Sequence, residues 1–176
     1  MTTRVSSCIA LTQNLELIDQ AIRLLKSMTD ELYAETSAQL GFKETPGPHL
    51  RHCIDAYNCL LDGLSSGSVD YDARTRSTEL ESSRSAALES LTTLRGRMGT
   101  IEDNPDTALR VRVDIPDGAD NEPSASSTLA REYQFLVSHT VHHYALIAMI
   151  LRRAEFDPGS DFGVAPSTLR HWHEST

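Results

Sequence analysis

The sequence has few of the features that mark secreted, membrane or disulfide-stabilised proteins. Its three cysteines, Cys8, Cys53 and Cys59, are an odd number without C-x-x-C spacing, which argues against a disulfide framework and a zinc ribbon. The longest apolar run, residues 144–151, is far shorter than the roughly 20 residues that cross a bilayer. We therefore expect neither a membrane span nor a disulfide scaffold.

Positive charge is also scarce and scattered. The 16 Lys and Arg residues face 25 Asp and Glu residues, so the formal net charge is −9, which opposes binding to phosphate backbones. The first 20 residues carry Gln, Asn, Glu and Asp where a signal peptide needs an unbroken apolar stretch. These patterns predict a cytoplasmic protein that binds neither nucleic acid nor membrane.

Apolar periodicity predicts four helices. Residues Leu11 to Leu32 repeat at steps of three and four, which is typical of one long amphipathic helix. The Pro- and Gly-rich stretch 41–48 ends it, and the next helices are expected at about 49–64, 75–98 and 128–154. We expect one all-α domain over residues 1–176, folded as a four-helix bundle.

The connection between the third and fourth helices is long. Residues 99–127 contain three prolines and many Asp and Asn residues, interrupted by the alternating Val111, Val113 and Ile115. This composition predicts a long crossover with room for one short strand. Residues 156–176 are expected to form a tail.

Histidines are the most concentrated chemical feature. Five of the seven lie in the segments 49–52 and 139–143. His139 and His143 are one helical turn apart, so both rings can reach one metal ion. His142 points about a quarter-turn further round, and Glu132 lies two turns earlier on the same flank, where it can orient a ligand or satisfy another buried donor.

A third ligand has to come from another helix, because two imidazoles leave most of a coordination shell unfilled. The second helix offers His49 and His52. His49 lies nearer the centre of the apolar arc and His52 nearer its edge, so periodicity slightly favours His49. The alternative is that these histidines are ordinary hydrogen-bonded residues of the core.

Several segments together resemble the DinB/YfiT-like superfamily of metal-binding four-helix bundles. The resemblance spans nearly the whole chain. Its carriers are TPGPHLRH (45–52), VDYDARTR (69–76), REYQFLVSHTVHH (131–143) and FGVAPST (162–168).

The resemblance implies a metal site. In similar proteins, one histidine of the second helix and an H-x-x-x-H pair of the fourth hold a divalent ion such as nickel, zinc or iron. By position these are His52, His139 and His143, with His52 chosen because it follows Thr45 by seven residues. His49, His142 and Glu132 remain as alternative ligands or as residues that orient the ligands.

Two functions are considered, of which the resemblance implies the first. The first is a thiol S-transferase-like enzyme, in which the ion activates a thiol or water toward a small-molecule substrate. The second is a non-catalytic, metal-stabilised bundle that serves in a stress response or forms a homodimer. For the enzyme, Arg51, Arg74 and Arg76 are candidates to bind the carboxylates of a low-molecular-weight thiol, the alternative being surface ion pairs.

Two irregular segments are expected to border the metal pocket. They are the crossover 99–127 and the tail segment 162–166. Long segments without regular structure in a compact domain tend to be either functional or disordered, and the segment 162–166 is also part of the family resemblance.

Overall fold

The computed structural model describes residues 3–34, 45–101, 104–112 and 123–174. It is mostly helical, with a small sheet. The helices are α1 (Thr3–Ser27), α2 (Asp30–Ala34), α3 (Pro46–Gly63), α4 (Thr78–Ser82), α5 (Arg84–Gly99), α6 (Leu129–Arg153) and α7 (Pro166–Glu174). The strands are β1 (Ser68–Val69), β2 (Ala108–Arg112) and β3 (Ser124–Thr128). Over these ranges, no helix is both long and apolar enough to cross a bilayer.

The four long helices pack against one another in pairs. Helix α1 contacts α5 and α6, and α3 contacts the same two helices. Their apolar stripes meet in one core, where Leu25, Ile54, Leu91 and Ile147 are each at most 2% exposed. Because burying such a side chain contributes roughly 1.5–3 kcal/mol, this core is the main source of stability.

Local sequence explains where α3 and α6 begin. Thr45 is extended and Pro46 occupies the first turn of α3, where a missing N–H costs no helical hydrogen bond. The hydroxyl of Thr128 accepts a hydrogen bond from the Arg131 N–H, at 3.3 Å, and caps α6. Both helices that carry the clustered histidines therefore start close to the predicted residues. The predicted break at 41–48 lies partly outside the described residues.

A buried polar core network connects α1, α3 and α6. We use this name for Asn14, Tyr57 and Thr140. The Tyr57 hydroxyl donates to Asn14 Oδ1 at 2.7 Å, and the Thr140 hydroxyl donates to the Tyr57 oxygen at 3.2 Å. Asn14 Nδ2 donates to the Tyr133 carbonyl at 3.0 Å. Buried polar groups paired in this way stabilise one helix arrangement over others.

The sheet is the main departure from the all-α expectation. Strand β2 lies in the middle, with β1 parallel to it and β3 antiparallel to it. The predicted strand around Val111 is present as β2, whereas the sequence patterns did not indicate β1 or β3. Val113 and Ile115 lie outside the described residues. The sheet ties the loop that follows α3 to the segment that precedes α6.

The first and third predicted helices are each interrupted, and the tail contains a helix. Helix α1 ends at Ser27, so Leu32 belongs to the separate α2. Between α4 and α5, Ser83 is extended and its hydroxyl accepts a hydrogen bond from the Ala86 N–H at 3.2 Å. Serine competes with helical backbone in this way, which explains the break. In the predicted tail, α7 begins at Pro166.

Candidate metal centre

Helices α3 and α6 bring three histidine rings together, and we call His52, His139 and His143 the histidine cluster. The His52 ring centroid lies 4.8 Å from that of His139 and 4.6 Å from that of His143, and the two α6 rings are 4.7 Å apart. One ring nitrogen of each residue lies within 4.8 Å of the other two. All three residues are half-buried.

The His139 ring is held by an aromatic stack and carries an unpartnered nitrogen. Its Nε2 atom is buried without a hydrogen-bond partner. The Phe135 ring stacks on it at 5.4 Å, and Tyr71 packs on Phe135 at 5.0 Å. Sequence reasoning missed Phe135, although its position one turn before His139 was a usable signal. A buried nitrogen with no partner is costly unless a ligand satisfies it.

His143 has a hydrogen-bonded partner in His49. Their Nδ1 atoms are 3.0 Å apart, so one ring donates and the other accepts. When His143 is the donor, its Nε2 atom keeps a free lone pair. His49 therefore stands where a residue that orients a ligand would stand. His142 is exposed, with its ring centroid 5.3 Å from that of His143, and lies outside the cluster.

His52 faces a guanidinium group. Arg74 Nη1 lies 2.7 Å from His52 Nδ1. The loop that carries Arg74 is fixed by Asp70, whose carboxylate accepts from the backbone N–H groups of Asp72 at 2.8 Å and Ala73 at 3.3 Å. Asp70 is in turn paired with Arg112 of β2 at 3.0 Å. The pairing of this loop with β2, which the sequence patterns did not indicate, thus positions Arg74 beside the histidines.

The three rings of the histidine cluster are neutral at pH 7. Burial, aided by the neighbouring His139 ring and the positive charge of Arg74, lowers the pKa of His52 to about 4. Burial and the neighbouring histidines lower the pKa of His143 to about 3, and burial also lowers the pKa of His139. A neutral imidazole has a lone pair for a metal, so protons compete weakly for this site at neutral pH.

Among the described residues, the hydrogen-bond partners of Glu132 do not include a histidine. It is completely buried and accepts hydrogen bonds from the hydroxyls of Tyr71, at 2.8 Å, and Ser127, and from Arg131 at 3.1 Å. Of the two roles considered from the sequence, the structure therefore shows the satisfaction of other donors. Its connection to the site runs through Tyr71, which packs on Phe135.

The three candidate arginines lie in different surroundings. Arg51 is paired with Asp55 at 3.1 Å and with Glu81 at 2.9 Å, which is the ion-pair alternative. Arg76 is exposed, with a φ of 51°. Arg74 is the one of the three that contacts the histidine cluster.

Comparison with known families places the fold and these histidines in context. A model of the DinB superfamily matches residues 13–147, which include the whole histidine cluster. The chain belongs to the DinB superfamily. The DinB chain is also 34% identical over 107 residues to FK506-binding protein 5 of Rhizopus delemar, a match that covers 58% of this chain. It spans only 27% of the length of that relative. No solved structure matches the sequence significantly.

The residues of this DinB chain fit a divalent metal ion. Among the described residues, the group able to hold one consists of His52, His139 and His143. Imidazole nitrogens suit zinc, nickel and iron, and neutral rings supply the lone pairs that these ions need. The buried and unpartnered His139 Nε2 is the atom that such an ion would satisfy.

A polar cavity of about 250 Å³ in the DinB chain is lined in part by Arg74, whose guanidinium contacts His52 of the histidine cluster. Its lining residues fall within 55–75 and include Asp55, Cys59, Asp70 and Arg74. Burial raises the pKa of the Cys59 thiol, so this cysteine is not a ready nucleophile.

The lining of this cavity includes no described residue of the crossover 99–127 or of the tail segment 162–166, and part of the crossover lies outside the described residues, so their place at the metal pocket stays a prediction. The tail packs on α6, where Phe162 stacks on Tyr144 at 4.7 Å. At Gly163, a Cβ atom would lie 2.6 Å from the Ala145 nitrogen, so only glycine fits there. In the described part of the crossover, Ser127 reaches Glu132.

Proposed function

We propose that this DinB chain holds one divalent metal ion through His52, His139 and His143 and acts as a metal-dependent enzyme on a small molecule. The observation that carries this proposal is the unpartnered His139 Nε2 inside a cluster of three histidine rings. Helices α1, α3, α5 and α6 would form the family's four-helix bundle. The segment with β2 and β3 would form its crossover.

Three protein ligands would leave at least one position of the ion open, where it would lower the pKa of a bound thiol or water and so supply a nucleophile at neutral pH. His49 holds the His143 ring through the 3.0 Å contact between their Nδ1 atoms. Phe135 holds the His139 ring by stacking. Zinc, nickel and iron are the ions that this donor set favours.

The nucleophilic thiol would come from a second substrate. Burial raises the pKa of Cys59, and Cys53 is fully buried in the core, where burial also raises its pKa. Neither of the two cysteines that the structure describes is therefore suited to act as a thiolate. A low-molecular-weight thiol that enters the cavity beside Arg74 would supply the sulfur, which makes the reaction S-transferase-like.

The experiment has two stages. Protein purified without a nickel column is analysed for bound metals, and the loaded protein is then screened with small thiols and electrophiles. We expect about one metal ion per chain and a thiol-transfer activity that disappears in His139→Ala. His142→Ala, which removes an exposed histidine of the same helix, is the matched control and should keep both. Activity that persists without metal would refute the mechanism.

The alternative is a non-catalytic module. It is favoured by one observation, namely that the similar stretch of FK506-binding protein 5 belongs to a much longer protein, of which the chain spans 27%. In this case the ion, or the histidine cluster alone, would stabilise the bundle as a stress-response partner or a homodimer. Bound metal without activity in the thiol screen, together with a dimer in light scattering, would favour this function.

A further inference from the structure

We propose, on the basis of the metal site above, that Arg74 competes with the metal ion for His52 and, once displaced, offers its guanidinium to an anionic group of the substrate. Arg74 would thus be the residue that couples occupation of the metal site to binding in the adjoining cavity. Arg74 contacts His52, makes only weak contacts elsewhere and lies in the cavity wall.

The contact between Arg74 and His52 excludes a metal from His52. A guanidinium group only donates hydrogen bonds, so at 2.7 Å the Nδ1 atom of His52 must be the acceptor. The neutral ring then carries its proton on Nε2, and neither nitrogen has a free lone pair. Binding through Nδ1 needs the lone pair that Arg74 uses, and binding through Nε2 moves the proton to Nδ1, which then faces a donor. In either case the hydrogen bond to Arg74 breaks.

Little else holds Arg74 beside the histidine cluster. Its Nε atom is buried without a hydrogen-bond partner. Its ion pair with Asp72 is 3.4 Å long, and the Asp72 side chain is 57% exposed, so the pair contributes little. A divalent ion at the cluster would also repel the guanidinium. Metal binding is therefore expected to release the Arg74 side chain from His52.

The released guanidinium can lie in the adjoining cavity. Arg74 already lines the cavity of about 250 Å³ that opens between α3 and the loop around Asp70. Three carboxylates of the lining, on Asp55, Asp62 and Asp70, are already paired with Arg51, Arg97 and Arg112. The freed fork of Arg74 is thus available to bind a carboxylate bidentately. The substrate class that fits is a small molecule with a carboxylate or a similar anionic group.

The first test is zinc binding to the metal-free full-length protein, measured by calorimetry. Arg74→Gln should bind zinc about tenfold more tightly than the wild type or better, because the ion no longer displaces a charge-assisted hydrogen bond. Arg76→Gln is the matched control: it removes an exposed positive charge two residues away and should leave the affinity within about threefold. Equal or weaker zinc binding by Arg74→Gln would overturn the competition.

A second measurement does not depend on a variant. In the metal-free wild type, nitrogen NMR of the histidine rings should show His52 protonated on Nε2 with Nδ1 as acceptor, and zinc should abolish that pattern. A His52 ring protonated on Nδ1 in the metal-free protein would refute the proposal.

The anion-binding half is tested with acetate, titrated by NMR. Zinc-loaded wild type should bind acetate more tightly than zinc-loaded Arg74→Gln, and metal-free wild type should resemble the variant. Equal acetate binding by the two zinc-loaded proteins would refute the proposal that Arg74 binds an anionic group. If wild type and Arg74→Gln both fail to bind zinc, the metal site itself is wrong. Zinc binding that is the same in both overturns the role of Arg74 alone.

Discussion

Two polar clusters lie between α3 and α6, and they differ in how far their hydrogen bonds are satisfied. In the polar core network, Tyr57 and Thr140 are fully buried and each hydroxyl has a partner. In the histidine cluster the rings are half-buried and His139 Nε2 has none. Thr140 follows His139 directly in α6. The same helix pair therefore carries a closed cluster suited to stability and an open one suited to a ligand.

The largest expected effect is on zinc binding by the histidine cluster. His143→Ala should lower the affinity for zinc by at least about a hundredfold, since two imidazoles form a weak site. Circular dichroism should still show a folded helical protein, because the apolar core does not depend on the ion. His142→Ala should match the wild type in both measurements. Full metal occupancy in His143→Ala would show that His143 is not a ligand, and loss of the fold would indicate a structural ion.

Removing His49, which contacts the histidine cluster, should have a smaller effect on zinc affinity. His49→Ala should weaken zinc binding by roughly tenfold, because the partner that orients His143 is lost. His49→Asn places an amide near the position of Nδ1 and should restore most of the affinity. A loss as large as that of His143→Ala would mean that His49 is itself a ligand.

In the polar core network, a substitution should change stability and leave zinc affinity unaltered. Tyr57→Phe should lower the free energy of unfolding by about 1–3 kcal/mol, since Asn14 Oδ1 loses its buried donor. Urea denaturation of the metal-free protein measures this change. Calorimetry should show unaltered zinc affinity. A tenfold change would contradict the view that the polar core network and the histidine cluster act independently.

Acid should have the smallest effect, which is a loss of stability through the histidine cluster. In the metal-free protein the pKa of His52 is about 4 when folded, against 6.5 for an ordinary histidine. Below pH 6.5 the unfolded chain therefore binds more protons, so stability falls as the pH drops from about 6.5 toward 4. Since the rings are half-buried, we expect a modest fall in stability. The fall should be smaller in His143→Gln, because this variant lacks a second histidine whose pKa is lowered in the folded protein. Identical pH profiles of unfolding for both proteins would contradict the pKa shifts.

The features that the sequence predicted are those written in local periodicity. The spacing of Leu129, Leu136 and Ile147 marks α6, and the i, i+4 spacing of His139 and His143 puts both rings on one face of it. The helix wheel favoured His49 as the third residue, whereas His52 faces the pair and His49 contacts His143 from the side. A wheel reports the apolar arc of one helix and contains no information about the partner helix.

The features that escaped prediction depend on contacts between distant segments. Strand β1 has two residues and pairs with β2 about forty positions later, so its own sequence carries almost no strand signal. The position of Arg74 depends on that pairing through Asp70 and Arg112. The ion pair between Arg51 and Glu81 likewise joins α3 to the separate α4. None of these partners is visible from the local pattern around either residue.

The central claim is that the histidine cluster is a three-imidazole metal site with an open position. X-ray absorption spectroscopy of the zinc-loaded protein tests it directly. We predict three imidazole nitrogens at roughly 2.0–2.1 Å and at least one further light-atom ligand that exchanges with added thiol. A sulfur at roughly 2.3 Å before any thiol is added, or a closed set of four protein ligands, would contradict the claim.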